Sequence, residues 1–348
     1  MPPDQSLQAP ARIDDDPLTA AYKRTLERES IEENDDFFEL GGSSMSAISL
    51  VLEIERLTGR ELPIASVYEA PTIAAMRSLL SANAAAGGSS PSLLVLMRDG
   101  TRSQPLFLVH GIGGSILELH DLVSAMGGER AIYGIQAAGL DGSPPNSDVK
   151  TMASLYVDQI REVQPAGPYL VIGYSVGGLI AFEMARLLTA SGSKVGVLGL
   201  IDTYLPENGL LHRFRRHARR LSRTSPSAML PELLRLAHHL RFRLRVIAGL
   251  SVRDDIEDLP LPRAYLDVRL MGRVALQTYR ASACPIDIVF FQAVYSRLPE
   301  AGDPVSMWQP FVRSMTLEHA EADHGSLIKT GAVELARAID RHLARAGD

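Results

Sequence analysis

Apolar positions along the chain follow two rhythms. Between Pro17 and Glu29, Leu18, Ala21, Tyr22 and Leu26 recur at helical spacing, with Pro17 suited to a first turn. Met45, Ile48, Leu52, Ile54 and Leu57 repeat that spacing in a second segment ending near Gly59. Ile64 to Tyr68 is long enough for one short turn, and Pro71-Thr72 opens a last helix through Leu80. This predicts a small all-α four-helix bundle over residues 17–82.

After residue 92 the rhythm changes. Leu93 to Met97, Leu106 to Val109, Ala131 to Ile135, Tyr169 to Ile172, Val195 to Ile201 and Ile286 to Phe291 are short apolar runs that read as strands. Helically patterned segments such as Met152 to Val163 separate several of them, so residues 93–348 are expected to form a mostly parallel sheet covered on both faces. Residues 83–92 are small and uncharged, as a flexible tether would be, and residues 1–16, rich in Pro, Asp and Gln, read as a mobile tail. From about 205 to 283 the pattern is helical with little strand character, which marks an insertion into the second domain.

Composition narrows the class. With 46% hydrophobic and 22% charged residues the chain can bury a core without staples, and no apolar run approaches the roughly 20 residues of a membrane helix. Stable membrane insertion is therefore not expected. Met1-Pro2-Pro3-Asp4-Gln5-Ser6 lacks the basic start and apolar stretch of a secretory signal, which makes cytoplasmic the expected location. Cys284, the single cysteine, excludes an internal disulfide and any multi-cysteine metal site, and beside Pro285 it reads as a small buried residue. Of the net charge of −6, residues 1–82 carry 15 acids against 7 bases, so the remainder is slightly basic. Such an acidic first part argues against nucleic acid as a partner.

Chemistry concentrates at Gly173-Tyr174-Ser175-Val176-Gly177-Gly178, which sits between the apolar run Tyr169–Ile172 and the helical pattern Leu179–Leu188. A strand, a tight glycine turn and a helix push a serine outward as a nucleophile, which still needs a base to take its proton. The α/β-hydrolase order is serine, acid, histidine, and the chain supplies Ser175, then Asp202 at the end of its own apolar run, then His324 in a polar loop before the last helix. His110 is the rival histidine and Asp323 the rival acid. His110 ends a strand beside a glycine-rich loop, and Asp323, next to His324 in sequence, is poorly placed to face its ring.

Two resemblances extend this reading. Asp35-Asp36-Phe37-Phe38-Glu39-Leu40-Gly41-Gly42-Ser43-Ser44-Met45 resembles the attachment motif of peptidyl and acyl carrier domains, especially those of nonribosomal peptide synthetases. The resemblance implies a covalent pantetheine 4′-phosphate on Ser44, added by a phosphopantetheinyl transferase. Ser43 departs from the His or Asp often found there, while Met45 occupies the usual Leu position. A serine capping the second helix would be the purely structural account. The elbow, Leu200-Ile201-Asp202 and Val109-His110-Gly111-Ile112-Gly113-Gly114 resemble the chain-terminating thioesterase domains of peptide and polyketide synthases over most of residues 93–348.

That second resemblance implies an α/β-hydrolase fold with a helical lid over about 205–283, and backbone N–H groups of Ile112 and Val176 as the oxyanion donors. It also implies transfer of an acyl or peptidyl thioester from Ser44 to Ser175 and its release by hydrolysis or cyclisation, with upstream synthetase modules as partners. Two other functions fit the same residues: a substrate-tethering and docking module, and an acyltransferase that passes the chain to an amine or alcohol. The early Met1 suits a separate two-domain protein or a piece of a longer one. In the first part of the insertion Arg213, Arg215, Arg216, Arg219, Arg220 and Arg223 lie with no acid from Asn208 through Pro231. This stretch reads as a solvated helix face, a dock for the acidic carrier or its phosphate, or a membrane-surface helix.

Overall fold

The computed structural model describes residues 16–60, 62–85, 93–140, 143–206, 261–296 and 302–346, together with 241, 245 and 298. The proposed tail apart from Asp16, most of the tether, the arginine-rich stretch and much of the insertion lie outside the described residues. The chain divides into two compact units, Met1–Ser89 and Ser90–Asp348.

In the first unit, α1 (Pro17–Leu26) starts on the Asp16 side chain, which accepts the Leu18 N–H, and buries Leu18, Ala21 and Tyr22. These face α2 (Ser44–Thr58), whose Ala47, Ile48, Leu50, Val51 and Ile54 are buried and which stops at Gly59 with φ of 66°. The short α3 (Ser66–Glu69) and α4 (Ile73–Ala85) complete the four helices. Phe37, fully buried, anchors the loop before α2 by meeting Tyr22 edge-on at 5.9 Å. A Cβ on Gly42 would fall 2.2 Å from the Phe37 ring. Gly42 is therefore a packing requirement of this anchor, whereas Gly41 serves the backbone, with φ of +97°.

The second unit is an α/β-hydrolase sheet between two helical layers. Its strands are β1 (Leu94–Arg98), β2 (Arg102–Val109), β3 (Arg130–Ile135), β4 (Tyr169–Tyr174), β5 (Val195–Ile201), β6 (Asp287–Ala293) and β7 (Ser314–Ala320), in the order β1-β3-β2-β4-β5-β6-β7. Among the described residues only the β1–β3 pairing is antiparallel. Among the described residues its α-helices include α5 (His120–Ala125), α6 (Val149–Val163), α7 (Val176–Ala190), α8 (Arg263–Thr278), α9 (Pro304–Trp308) and α10 (Ala332–Arg345). Phe107 and Val109 of β2 join the core beneath α6 and α7, while Leu106 and Leu108, equally buried, face the opposite side where α5 and α10 pack together.

Hydrophobic patterning named six strands, and β7 is the seventh. Its residues are exposed or half-buried until Ala320, because an edge strand covers little core and carries little apolar signal. The carboxyl ends of β2, β4, β5 and β6 point to one rim of the sheet. That rim carries the loops described next.

Candidate active site

Ser175 lies between β4 and α7 with φ of 56° and ψ of −120°, a left-handed turn that only close backbone packing can hold. A Cβ on Gly173 would come 2.1 Å from the Gly177 carbonyl oxygen, and one on Gly177 would come 2.1 Å from that of His110. Both glycines are demanded by the closeness of strand, turn and helix. The Ser175 N–H donates to the Ile201 carbonyl at 2.9 Å, which ties the turn to β5.

Directly after β5, Asp202 also has positive φ, 44°, and is fully buried. Its Oδ2 lies 2.7 Å from His324 Nδ1, and His324 Nε2 lies 3.1 Å from Ser175 Oγ. With the Nδ1 proton directed at the carboxylate, the Nε2 lone pair faces the serine hydroxyl. Asp202 accepts three further bonds: from the Tyr204 hydroxyl at 3.0 Å, the Ala293 N–H at 3.2 Å and the Ser296 hydroxyl at 2.8 Å. These fix the carboxylate in the orientation that meets the imidazole.

The rivals are used elsewhere. His110 Nδ1 bonds the Gly111 carbonyl at 2.6 Å and its Nε2 meets the Tyr156 hydroxyl at 2.8 Å, and burial pushes its pKa down to about 4. It is a neutral bracket between β2 and α6. Asp323 accepts the Ser326 N–H at 2.8 Å, a bond that leads the causes holding its carboxyl below the ordinary range. It shapes the loop that presents His324. Cys284 is buried, which raises its thiol pKa and leaves it a core residue.

Val176 opens α7, so its N–H has no partner within the helix. Ile112 lies in the glycine-rich loop after β2, where the Gly114 N–H bonds the Gly111 carbonyl at 3.1 Å. α8, the described part of the predicted lid, sits on this loop. A Cβ on Gly113 would meet the Tyr265 hydroxyl at 2.5 Å, one on Gly114 would meet Val268 at 2.4 Å, and one on Gly272 would come 3.0 Å from the Ile112 carbonyl oxygen. Ile112, Val176, Met152, Tyr156, Val268 and Gly272 line a recess beside it. Patterning did not single out Tyr174, Glu118, Tyr204, Ser296 or Gly272, although Glu118, an acid inside the apolar run Ile116–Leu119, carried a signal.

In the first unit Ser43 is the residue that caps α2. Its hydroxyl accepts the Ser46 N–H at 3.2 Å, and the Ser46 hydroxyl accepts the Ser43 N–H at 2.7 Å. Ser44 is the first helical residue and is half-buried, with Met45 exposed beside it. A primary hydroxyl at a helix N-terminus, where the dipole favours a phosphate, fits a covalent pantetheine 4′-phosphate. Among the described residues, no group of His, Cys, Asp and Glu could hold a metal ion, and no helix is long and apolar enough to cross a membrane.

Residues 104–343 match the thioesterase domain family, and residues 16–80 match the phosphopantetheine attachment site family. The chain is 30% identical over 309 residues to the dimodular nonribosomal peptide synthase of Bacillus subtilis (strain 168), which covers 83% of this chain and 12% of that protein. It is 35% identical over 206 residues to indigoidine synthase of Streptomyces lavendulae, covering 58% of this chain and 16% of that protein. The chain thus spans a small part of these curated relatives. Among solved structures, it resembles holo-AB3403, a four-domain nonribosomal peptide synthetase bound to AMP and glycine, with a TM-score of 0.57 and 27% identity over 93% of this chain and 26% of that one. The type II thioesterase BorB from the borrelidin biosynthetic cluster shares the fold, with a TM-score of 0.51 and 19% identity over 74% of this chain and 99% of that one.

Proposed function

Because the chain belongs to the thioesterase domain family and carries a phosphopantetheine attachment region ahead of that domain, we propose that it holds an acyl or peptidyl chain on Ser44, transfers it to Ser175 and releases it. Residues 17–82 are then the carrier, 83–92 the tether and 93–348 the releasing enzyme, with its lid over about 205–283. The setting is secondary metabolism of the nonribosomal peptide kind, alone or mixed with polyketide synthesis, and upstream synthetase modules supply the chain. The family's pantetheine group supplies, when bound, a thiol that holds the acyl chain as a thioester.

The observation that carries this reading is the unbroken series of hydrogen bonds from Asp202 through His324 to Ser175, on a serine held at positive φ. His324 Nε2 takes the hydroxyl proton as Ser175 Oγ attacks the acyl carbonyl carbon. Asp202 keeps the imidazole in the tautomer that accepts this proton and stabilises the imidazolium that results. The N–H groups of Ile112 and Val176 receive the developing oxyanion, each worth roughly 3 kcal/mol in the transition state. His324 returns its proton to the departing thiolate, and Ser175 is left as an acyl-enzyme. Water or a nucleophile within the chain itself then attacks, with the same base and donors serving the second half.

Hydrolysis and cyclisation share this constellation, and exclusion of water beneath the lid decides between them. Intact-protein mass spectrometry tests the reading, with acyl-pantetheine loaded from a panel of acyl-coenzyme A donors by a phosphopantetheinyl transferase. Loading is expected to disappear in Ser44→Ala. Release is expected to stop in Ser175→Ala with loading intact, and persistent release in that variant would overturn the assignment.

A further inference from the structure

Glu118 lies at the meeting point of three parts of the candidate site. Its Oε1 accepts the Gly111 N–H at 2.5 Å, one residue before the Ile112 N–H. A Cβ on Gly111 would stand 2.7 Å from that same oxygen and 2.8 Å from the Tyr174 ring. The Tyr174 ring in turn stacks on His324. On the far side of the loop, α8 closes against Gly113, Gly114 and the Ile112 carbonyl. A segment with glycine at 111, 113 and 114 has little stiffness of its own, and here it is clamped from both sides.

We propose that Glu118 is a positioning residue that sets the Ile112 N–H for the oxyanion by holding the Gly111 N–H, and that it does so more firmly as a carboxylate than as a carboxylic acid. The proposal rests on the acyl-transfer reading above. Oxyanion donors act through preorganisation, so a loop free to shift would present the N–H only part of the time. A bond from N–H to a charged oxygen is roughly twice as strong as one to a neutral oxygen. Protonation of Glu118 therefore loosens the loop without breaking the fold.

Among the described residues, the titratable and charged groups facing Glu118 are Tyr174 at the end of β4, Tyr265 and Arg269 on α8, and Lys329 in the segment before α10. Burial is the largest influence and raises the carboxyl to about 7, against the opposing pull of the Gly111 N–H and the two cations. The change between the firm and the loose loop thus falls near neutral pH.

The test compares kcat and KM for an acyl-N-acetylcysteamine thioester between pH 5.5 and 8.5 in the full chain, as wild type, Glu118→Gln, Glu118→Ala and Ser175→Ala. Glutamine keeps the accepting oxygen and removes the charge. The ratio of wild-type to Glu118→Gln kcat is expected to be about tenfold at pH 8.5 and to approach one at pH 5.5, with a midpoint near 7 and KM nearly unchanged. Any pH effect common to both proteins largely cancels in the ratio. Glu118→Ala is expected to lose about a hundredfold in kcat at pH 8.5.

A ratio that stays flat with pH, or a defect confined to KM, overturns the proposal. Hydrogen exchange at the amides of residues 111–114 in wild type, corrected for the intrinsic pH dependence, gives a readout that needs no variant. Protection there is expected to fall as the pH drops below 7, and constant protection overturns the proposal. Turnover that survives in Ser175→Ala would instead defeat the acyl-transfer reading. An inactive Ser175→Ala beside a flat ratio would defeat only the role of Glu118.

Discussion

Tyr174 and His324 lie as stacked rings, with centroids 5.0 Å apart and 21° between their planes, and the Tyr174 hydroxyl donates to the His324 carbonyl at 2.8 Å. The residue before Ser175 thus holds both the ring and the backbone of His324. The strand that leads into Ser175 also fixes the loop that carries His324.

Removing only the hydroxyl separates these two holds. Tyr174→Phe keeps the stack and loses a bond of about 1 kcal/mol, so kcat is expected to fall roughly fivefold. Tyr174→Ala loses both and is expected to cost about a hundredfold, as small misplacements of a base do. Steady-state kinetics on both variants, with KM unchanged, check this.

The four bonds to Asp202 predict a graded series. Asp202→Asn is expected to reduce kcat about 10⁴-fold, because the amide favours the wrong imidazole tautomer. Ser296→Ala, which removes one of the donors to the carboxylate, is expected to cost only about threefold to tenfold. Asp323→Asn is expected to stay within about twofold of wild type, because its carboxylate serves the Ser326 turn. A large defect in Asp323→Asn would reassign the acid.

Much of this arrangement was legible in the sequence, for physical reasons that differ by residue. Ser175 announced itself because the elbow needs glycine at 173 and 177, and the structure puts backbone carbonyls where their side chains would be. Asp202 and His324 were found by their order and by the strand and loop around them. Tyr174, Tyr204 and Ser296 were not, because nothing in a lone tyrosine or serine says which distant atom its hydroxyl reaches. β7 escaped for want of buried apolar residues. In the carrier, the choice between Ser43 and Ser44 rested on the resemblance, and the structure adds that the Ser43 hydroxyl accepts the Ser46 N–H as the cap of α2.

Contact between α8 and the glycine-rich loop predicts a lid effect. Gly272→Val places two extra methyl groups on a Cβ that would already stand 3.0 Å from the Ile112 carbonyl oxygen. α8 or the loop must then move. A fall in kcat of about tenfold or more is expected, with Gly272→Ala intermediate, since displacement of a preorganised donor weakens transition-state binding. Equal kcat in both variants and wild type would show that the loop is not held from that side.

His110 gives a pH dependence of stability. Its pKa is lowered in the folded chain from 6.5 to about 4, so the unfolded chain binds the proton first as the pH falls. The stabilising contribution is complete above 6.5 and is lost as the pH drops toward 4, by up to about 3 kcal/mol. Urea unfolding of wild type and His110→Gln across this range is expected to show the steeper decline in wild type. Parallel curves would mean that His110 takes up its proton in place.

The most direct test of the account follows the acyl group itself. Wild-type protein loaded with one acyl chain on Ser44 is quenched in acid at short intervals, digested, and both serine peptides are weighed by mass spectrometry. The acyl mass is predicted to leave the Ser44 peptide, appear on the Ser175 peptide and then pass into free product. If it passes from the Ser44 peptide into product without ever reaching Ser175, and does so equally fast in Ser175→Ala, the account is contradicted.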